Sequence, residues 1–368
     1  TPNMRSSLKE IYTTSTSSQF QSLSIVCGSP TCIIQCLSTY GCQYLTIDAS
    51  NATNLFLTCS GQSSCRYSNI QKSATTVTSI QCTYYAACYD ATFNVTGSPS
   101  VDIVCDNNYG SSSSYSACHS ADITAHNAAG TLSVTCTYGY DCYYATIDAA
   151  GSSYLDLTCS AQYSCRSLSV QDAPFEFTSI ECSTDYACYY ASFNFNHSFT
   201  ADLACSGYYG CGYATIRASQ EVEKLNISCT GSSGYACYYA DLYMDYPNPD
   251  VLRLDCDGST TTSCASFQTY CDGSVNSYLS ANTATYPYTY SCSSLECCPL
   301  FEGYLSCADD SECTIDCRSQ DCSNFVIDAH AASSATVNCE SSSGGCENAL
   351  IRCPDIIPQA TCSVNCQD

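Results

Sequence analysis

Short runs of alternating apolar and polar residues recur along this chain at a nearly constant interval. After Cys142 it reads Tyr143, Tyr144, Ala145, Thr146, Ile147, Asp148, Ala149. Ala145, Ile147 and Ala149 share one parity, and Tyr144, Thr146 and Asp148 share the other. Before Cys159, Leu155 and Leu157 face one way while Asp156 and Thr158 face the other. A period of two held over roughly four to six residues predicts half-buried strands, and no helical stripe of useful length competes with it. The fold class expected is all-β.

The strands come in repeats. Cysteine pairs spaced C-x5-C begin at 36, 59, 82, 136, 159, 182 and 205, with looser versions at 105, 229 and 256, and successive starts lie mostly 23 residues apart. Residues 36–105 align with 136–205 at an offset of 100 without gaps, and 31 of those 70 positions are identical, so coils duplicated as a block. Two short strands per repeat, always in the same order, predict a parallel β-helix (solenoid) of ~23-residue disulfide-stapled coils about 4.8 Å apart. Ten contiguous coils from Cys36 to Cys264 would make a rod of about 50 Å at that spacing.

The chain has 35 cysteines in 368 residues, a density that marks an oxidised, secreted scaffold. Its four histidines supply no zinc-knuckle pattern. A C-x5-C loop can bring two Cα atoms within the roughly 4.4–6.8 Å that a disulfide needs. A ladder joining equivalent cysteines on adjacent coils is the alternative, at a rise of ~4.8 Å. Coils of different length keep both members of each pair, which favours bridges within a coil. The pairs are Cys36–Cys42, Cys59–Cys65, Cys82–Cys88, Cys105–Cys118, Cys136–Cys142, Cys159–Cys165, Cys182–Cys188, Cys205–Cys211, Cys229–Cys237 and Cys256–Cys264. Each closure stabilises the fold by about 2 kcal/mol through chain entropy. The odd total leaves at least one cysteine free or bonded elsewhere.

Charge narrows the partners. A net charge of −24 with only 10 Lys and Arg argues against nucleic acid, whose phosphates need cations, and against anionic membranes. No apolar run approaches the ~18–20 residues of a membrane span, and the start at Thr1, without Met or an apolar stretch, leads to the expectation that any signal peptide has been removed or lies outside this sequence. Sequons at Asn51, Asn94, Asn196 and Asn226 are candidate glycan sites in a secreted chain.

Four regions follow from the pattern. Residues 1–26 read as an N-terminal arm, exposed or offered as a strand to a neighbouring subunit. Residues 27–271 read as the main β-helix and 272–306 as an irregular Tyr- and Cys-rich insert. Residues 307–368 read as a second short β-helix block or docking segment, because Cys307, Cys313, Cys317 and Cys322 echo Cys27, Cys32, Cys36 and Cys42. Unpaired strand edges at both ends would suit head-to-tail continuation.

Candidate chemistry is sparse. Asp255 with Asp257, and Asp309 and Asp310 with Glu312, are the acids a β-helix lyase or glycosidase would use; Arg253 and Arg318 are the nearest bases. Solvated turn residues with surface ion pairs are the plainer reading. The same two acidic clusters are the places where calcium would find oxygen ligands, and no other cofactor or metal is implied. His119, Asp122 and His126 have no nucleophile beside them. Thr46, Thr146 and Thr215 mix with Tyr, Asp and Arg217, so the flat Thr array of an ice-binding face is missing. Tyr44, Tyr144, Tyr190, Tyr213 and Tyr239 stand on the outward parity just after a second cysteine. They are expected to form an aromatic column, used for stacking or as an interface.

The recurring Y-A-C-Y-Y-A at 186–191 and 235–240, with the L-x-L-T-C-S turns, resembles cysteine-rich parallel β-helix repeats of protist cell-surface proteins. The coil length is similar to that of pectin-lyase-like solenoids. The resemblance spans about 27–271 and 307–368, and the catalytic acid and base clusters of that superfamily are missing. It implies an extracellular filament or cell-surface fibre of the flagellar-hair type, built from identical or homologous subunits. The expectation is a secreted structural glycoprotein and not an enzyme; a glycan-binding adhesin and a polysaccharide-active enzyme are the alternatives.

Overall fold

The computed structural model describes residues 9–14, 24–73, 77–107, 116–126, 130–171, 176–195, 198–218, 222–230 and 235–244. Beyond these it describes residues 349–353 and the later strands named below. The chain is an all-β parallel solenoid with coils of about 23 residues, and no described residue is helical. It divides into two compact units, Thr1–Ile180 and Glu181–Asp368.

In the first unit each coil from Thr31 onward has a six-residue strand ending in cysteine and a three-residue strand. The long strands Thr31–Cys36, Asn54–Cys59, Val77–Cys82 and Ser100–Cys105 stack in parallel, as do Ser100–Cys105, Thr131–Cys136 and Tyr154–Cys159. Register is strict: Cys36, Cys59, Cys82, Cys105, Cys136 and Cys159 lie over one another. The short strands Thr46–Asp48, Asn69–Gln71, Thr92–Asn94, Asp122–Thr124, Thr146–Asp148 and Ser169–Gln171 do the same. Burial alternates along them, so Leu55, Leu57 and Cys59 point inward, as do Leu155, Leu157 and Cys159. A one-residue slip would expose every such set, which is what locks the register.

The solenoid starts before the first cysteine. Lys9–Thr14 pairs in parallel with Thr31–Cys36, and Ser24–Val26 pairs with Thr46–Asp48. The strand offered to a neighbour in the sequence reading is thus laid on the chain's own first coil. One inward position holds a lysine. Lys72 is 1% exposed in the column that holds Ala49 and Val95, its ammonium donates to the Ala52 carbonyl, and burial lowers its pKa.

In the second unit the long strand Thr200–Ser206 carries Lys224–Thr230, which carries Val251–Asp255. The stack continues through Ser277–Ala281, Glu312–Cys317, Ser334–Glu340 and Thr361–Gln367. The short strands run Ser192–Asn194, Thr215–Ala218, Asp241–Met244, Gln268–Cys271 and Thr289–Cys292. The irregular insert read at 272–306 needs correction: Ser277–Ala281 and Thr289–Cys292 keep the coil register. The departure is local. Leu300–Phe301 and Tyr304–Ser306 form an antiparallel pair that begins a separate small sheet with Val326–Asp328 and Leu350–Arg352.

Disulfides link Cys36–Cys42, Cys59–Cys65, Cys82–Cys88, Cys105–Cys118, Cys136–Cys142 and Cys159–Cys165 in the first unit. In the second they link Cys182–Cys188, Cys205–Cys211 and Cys229–Cys237. Cys27–Cys32 and Cys353–Cys362 are also bonded. Cys256 and Cys264 lie outside the described residues. Sulfur atoms of adjacent coils also come close, within 4.8 Å in Cys36, Cys59 and Cys65, yet the bonds run within coils. Except for Cys27–Cys32 and Cys353–Cys362, each bond ties the end of a long strand to the turn that follows.

Candidate functional site: the tyrosine-rich turn face

That turn, between the long and the short strand, is where the side chains of greatest chemical interest collect. Its backbone alternates between two kinds of hydrogen bond. In the first coil Gly41, Gln43 and Leu45 N–H donate back three residues, to Ser38, Tyr40 and Cys42 carbonyls at 3.0, 3.3 and 3.2 Å. Between them Tyr40 and Tyr44 N–H donate to the next coil, to Gln62 and Arg66 carbonyls at 2.8 and 2.9 Å. Successive turns of this sort require left-handed residues at alternate positions. Tyr40, Tyr44, Tyr67, Tyr140, Tyr144 and Tyr163 all have positive φ, as do Tyr186, Tyr190, Tyr209, Tyr213, Tyr235 and Tyr239.

This corrects the placement of Tyr44, Tyr144, Tyr190, Tyr213 and Tyr239. They are not on a strand's outward parity; the short strands begin later, at Thr46 in the first case. Each sits in the turn at φ between 52° and 60°. An L residue there costs roughly 1–2 kcal/mol. Gly or Asn would meet the φ with less strain, so what tyrosine adds is the ring.

The rings stack from coil to coil. Tyr44 lies on Tyr67 at 5.0 Å between centroids, and Tyr140 on Tyr163 at 5.1 Å. In the second unit Tyr186, Tyr209 and Tyr235 form one column, with 5.4 Å steps and interplanar angles of 15° and 9°. Tyr190, Tyr213 and Tyr239 form another, at 5.1 and 5.2 Å. Tyr144 has no such column, because Ser120 and Ser167 hold its position in the flanking coils; it packs on Tyr143 and His119 instead. Gly212 makes room for the array: a Cβ there would meet the Tyr209 ring at 2.7 Å.

The scarce cations join the rings. The Arg66 guanidinium lies 4.6 Å from both the Tyr67 and Tyr89 rings and donates to the Tyr67 hydroxyl at 2.7 Å. Arg166 sits over Tyr143 and Tyr163, and Arg217 over Tyr243. His119 stacks on Tyr89, and burial lowers its pKa, so the imidazole is neutral at physiological pH. Burial and the bond with Tyr208 push the Tyr209 phenol up; the bond with Tyr239 and burial do the same for Tyr238. These phenols remain protonated near neutral pH and offer no phenolate nucleophile.

The other candidate groups do not converge on this face. Asp122 is exposed on its short strand, and His126 pairs with Asp148 at 2.9 Å, with both side chains about a third exposed. Asp257, Asp309, Asp310 and Arg318 lie outside the described residues, as do the side chains of Arg253, Asp255 and Glu312. Among the described residues, the groups of three or more potential metal ligands are all disulfide-bonded cysteines. Asn51 and Asn94 are exposed, and the Thr96 hydroxyl donates to the Asn94 carbonyl oxygen at 2.7 Å. Asn226 is half-buried, and its amide nitrogen already donates to Asp202. Asn196 lies outside the described residues.

No protein family, curated protein or solved structure matches this chain. Its own residues carry the argument.

One group escaped the sequence reading. Asp141 is fully buried, and its carboxylate accepts from Tyr138 N at 2.9 Å, Asn107 N at 3.1 Å and Ala117 N at 3.1 Å. Burial pushes its pKa well above the carboxylate range, against the pull of these three donors. Asn107 and Ala117 flank the expanded turn of the preceding coil, where the bonded cysteines are 13 residues apart instead of six. Asp141 therefore caps backbone groups at the edge of that expansion. Its role is structural.

Proposed function

We propose that this protein is a secreted structural glycoprotein that assembles head to tail into an extracellular filament or cell-surface fibre. One observation supports the reading: like coils stack in strict register, and among the described strands Thr361–Gln367 pairs along one edge, with Ser334–Glu340. Val364 is 43% exposed although Val337, its partner on the preceding coil, is fully buried. A long strand from a second copy, laid on the other edge as Lys9–Thr14 lies on Thr31–Cys36, would cover it. The disulfide density supports an oxidising, extracellular setting. Asn51 and Asn94 are the glycan sites this reading favours, because both are exposed.

The adhesin alternative has less support. Sugars stack on open aromatic faces, whereas the faces of Tyr209 and Tyr213 are covered by rings of the coils on either side. The acids that would serve a polysaccharide-active enzyme, Asp255 with Asp257 and Asp309 and Asp310 with Glu312, have side chains outside the described residues, so that alternative gains no support here.

Negative-stain electron microscopy of purified protein at rising concentration tests the proposal. Filaments are expected, and Val364→Asp, which puts a charge on the open edge, should shorten them. Single monodisperse particles of the unaltered protein at high concentration would overturn it.

A further inference from the structure

The tyrosine columns of the second unit have a chemical consequence beyond stacking. Tyr186, Tyr209 and Tyr235 are one column and Tyr190, Tyr213 and Tyr239 the other, with every step between 5.1 and 5.4 Å. Tyr238 bridges them, 5.3 Å from Tyr209 and 6.0 Å from Tyr213. Each rung is held by the backbone: Tyr186 and Tyr190 N–H donate to Tyr208 and Gly212 carbonyls, and Tyr213 N–H to the Tyr238 carbonyl. The outer column is open to solvent, with Tyr190 48%, Tyr239 41% and Tyr213 36% exposed.

Composition removes the competing sinks. The chain has no Trp and two Met, and the described cysteines of these coils are disulfides. A one-electron oxidant that reaches this face therefore meets phenols first.

We infer that Tyr190, Tyr213 and Tyr239 form a site of oxidative phenol coupling, at which a haem peroxidase using hydrogen peroxide joins neighbouring coils through dityrosine. Two adjacent phenols each give up one electron and the hydroxyl proton. The phenoxyl radicals form a carbon–carbon bond between ring positions ortho to the oxygens. The ortho hydrogens then move to the oxygens and restore both phenols. Two hydrogens are lost per cross-link, and their electrons and protons reduce one peroxide to two waters.

The cross-link joins coils of one chain, so it stands whether or not the protein polymerises. The test uses the purified, disulfide-intact protein at high dilution with a haem peroxidase and hydrogen peroxide. Dityrosine fluorescence should appear at a yield per chain that does not fall on further dilution. It should exceed that of the unfolded chain, reduced and with every thiol alkylated, by about tenfold or more, because the folded rings are already neighbours. Mass spectrometry should find peptides lighter by two hydrogens joining Tyr190 to Tyr213 and Tyr213 to Tyr239. Tyr213→Phe, which keeps the stacked ring, should abolish both. Cross-links scattered over unrelated tyrosines, or a yield equal to that of the unfolded chain, would overturn the assignment.

Discussion

Asp141 gives the sharpest test of how this fold tolerates an expanded coil. Replacing it with Ala leaves the N–H groups of Tyr138, Asn107 and Ala117 buried without their acceptor. An unsatisfied buried donor costs roughly 1–3 kcal/mol, but the substitution also removes a desolvated carboxylate. The net destabilisation expected for Asp141→Ala is about 2–4 kcal/mol. Serine is the informative control, because Ser64 and Ser164 hold the equivalent turn position. Their hydroxyls accept from Gly61 and Ala161 N–H, three residues back, as Asp141 does from Tyr138. Asp141→Ser should restore the Tyr138 cap without reaching Asn107 or Ala117, and so cost about 1 kcal/mol less than Ala. Guanidinium unfolding with disulfides intact gives the energies, and native-state hydrogen exchange at the three amides gives the location. Unchanged protection of Asn107 and Ala117 in the Ala variant, or equal cost for Ala and Ser, would refute the capping argument.

Four further outcomes are expected. Changing Cys59 and Cys65 together to Ala should cost about 2 kcal/mol of lost loop closure, read as a lower denaturant midpoint. Leu157→Ala, at a fully buried inward position, should cost about 2–5 kcal/mol in the same assay. Tyr209→Gly relieves left-handed strain while Tyr209→Ala keeps it, so Ala should be the less stable variant by roughly 1 kcal/mol although both lose the ring. Burial raises the pKa of Asp90, Asp141 and Asp241, so the folded chain holds more protons than the unfolded one just above the ordinary carboxylate range. Stability from these groups is lost as pH rises through their folded values. Asp48, lowered by the Ser50 hydroxyl and N–H, acts in the opposite sense and loses its contribution as pH falls. His119, lowered by burial, also opposes the three aspartates and gains stability as pH rises through the ordinary histidine value. Calorimetry at low salt in a His119→Gln background should therefore find Tm falling as pH rises from about 5.

The parts of the architecture that were legible in the sequence are those with a period. Alternation around Leu155, Leu157 and Cys159 identifies a strand because side chains in a strand alternate faces. The 23-residue cysteine interval identifies a coil because each coil must return to the same place. The pair of strands laid ahead of the first coil was illegible, since Lys9–Thr14 and Ser24–Val26 carry no cysteine to mark the repeat. The turn was illegible for another reason. Left-handed backbone is normally signalled by Gly or Asn, and here the positions hold Tyr, Cys and Ser, so the tyrosines were assigned to a strand. Asp141 did leave a trace. It stands where other coils have Gly41, Ser64, Ala87, Ala187 and Gly210, in the coil that follows the expanded turn.

The left-handed turn, the disulfide and the ring column make sense only together. Two or three strained residues per coil at roughly 1–2 kcal/mol each would open a lone turn of this kind. The within-coil bridge reaches the middle of the turn, so opening would not release its chain entropy. The alternate N–H groups are satisfied only by the next coil, as Tyr44 is by Arg66 and Tyr190 by Gly212. Stacked rings add about 0.5–1.5 kcal/mol per pair, and only where a neighbouring coil presents its own ring. Each of the last two contributions needs a second coil in register. The turn therefore rewards stacking of identical units, which is why tyrosine accumulates here.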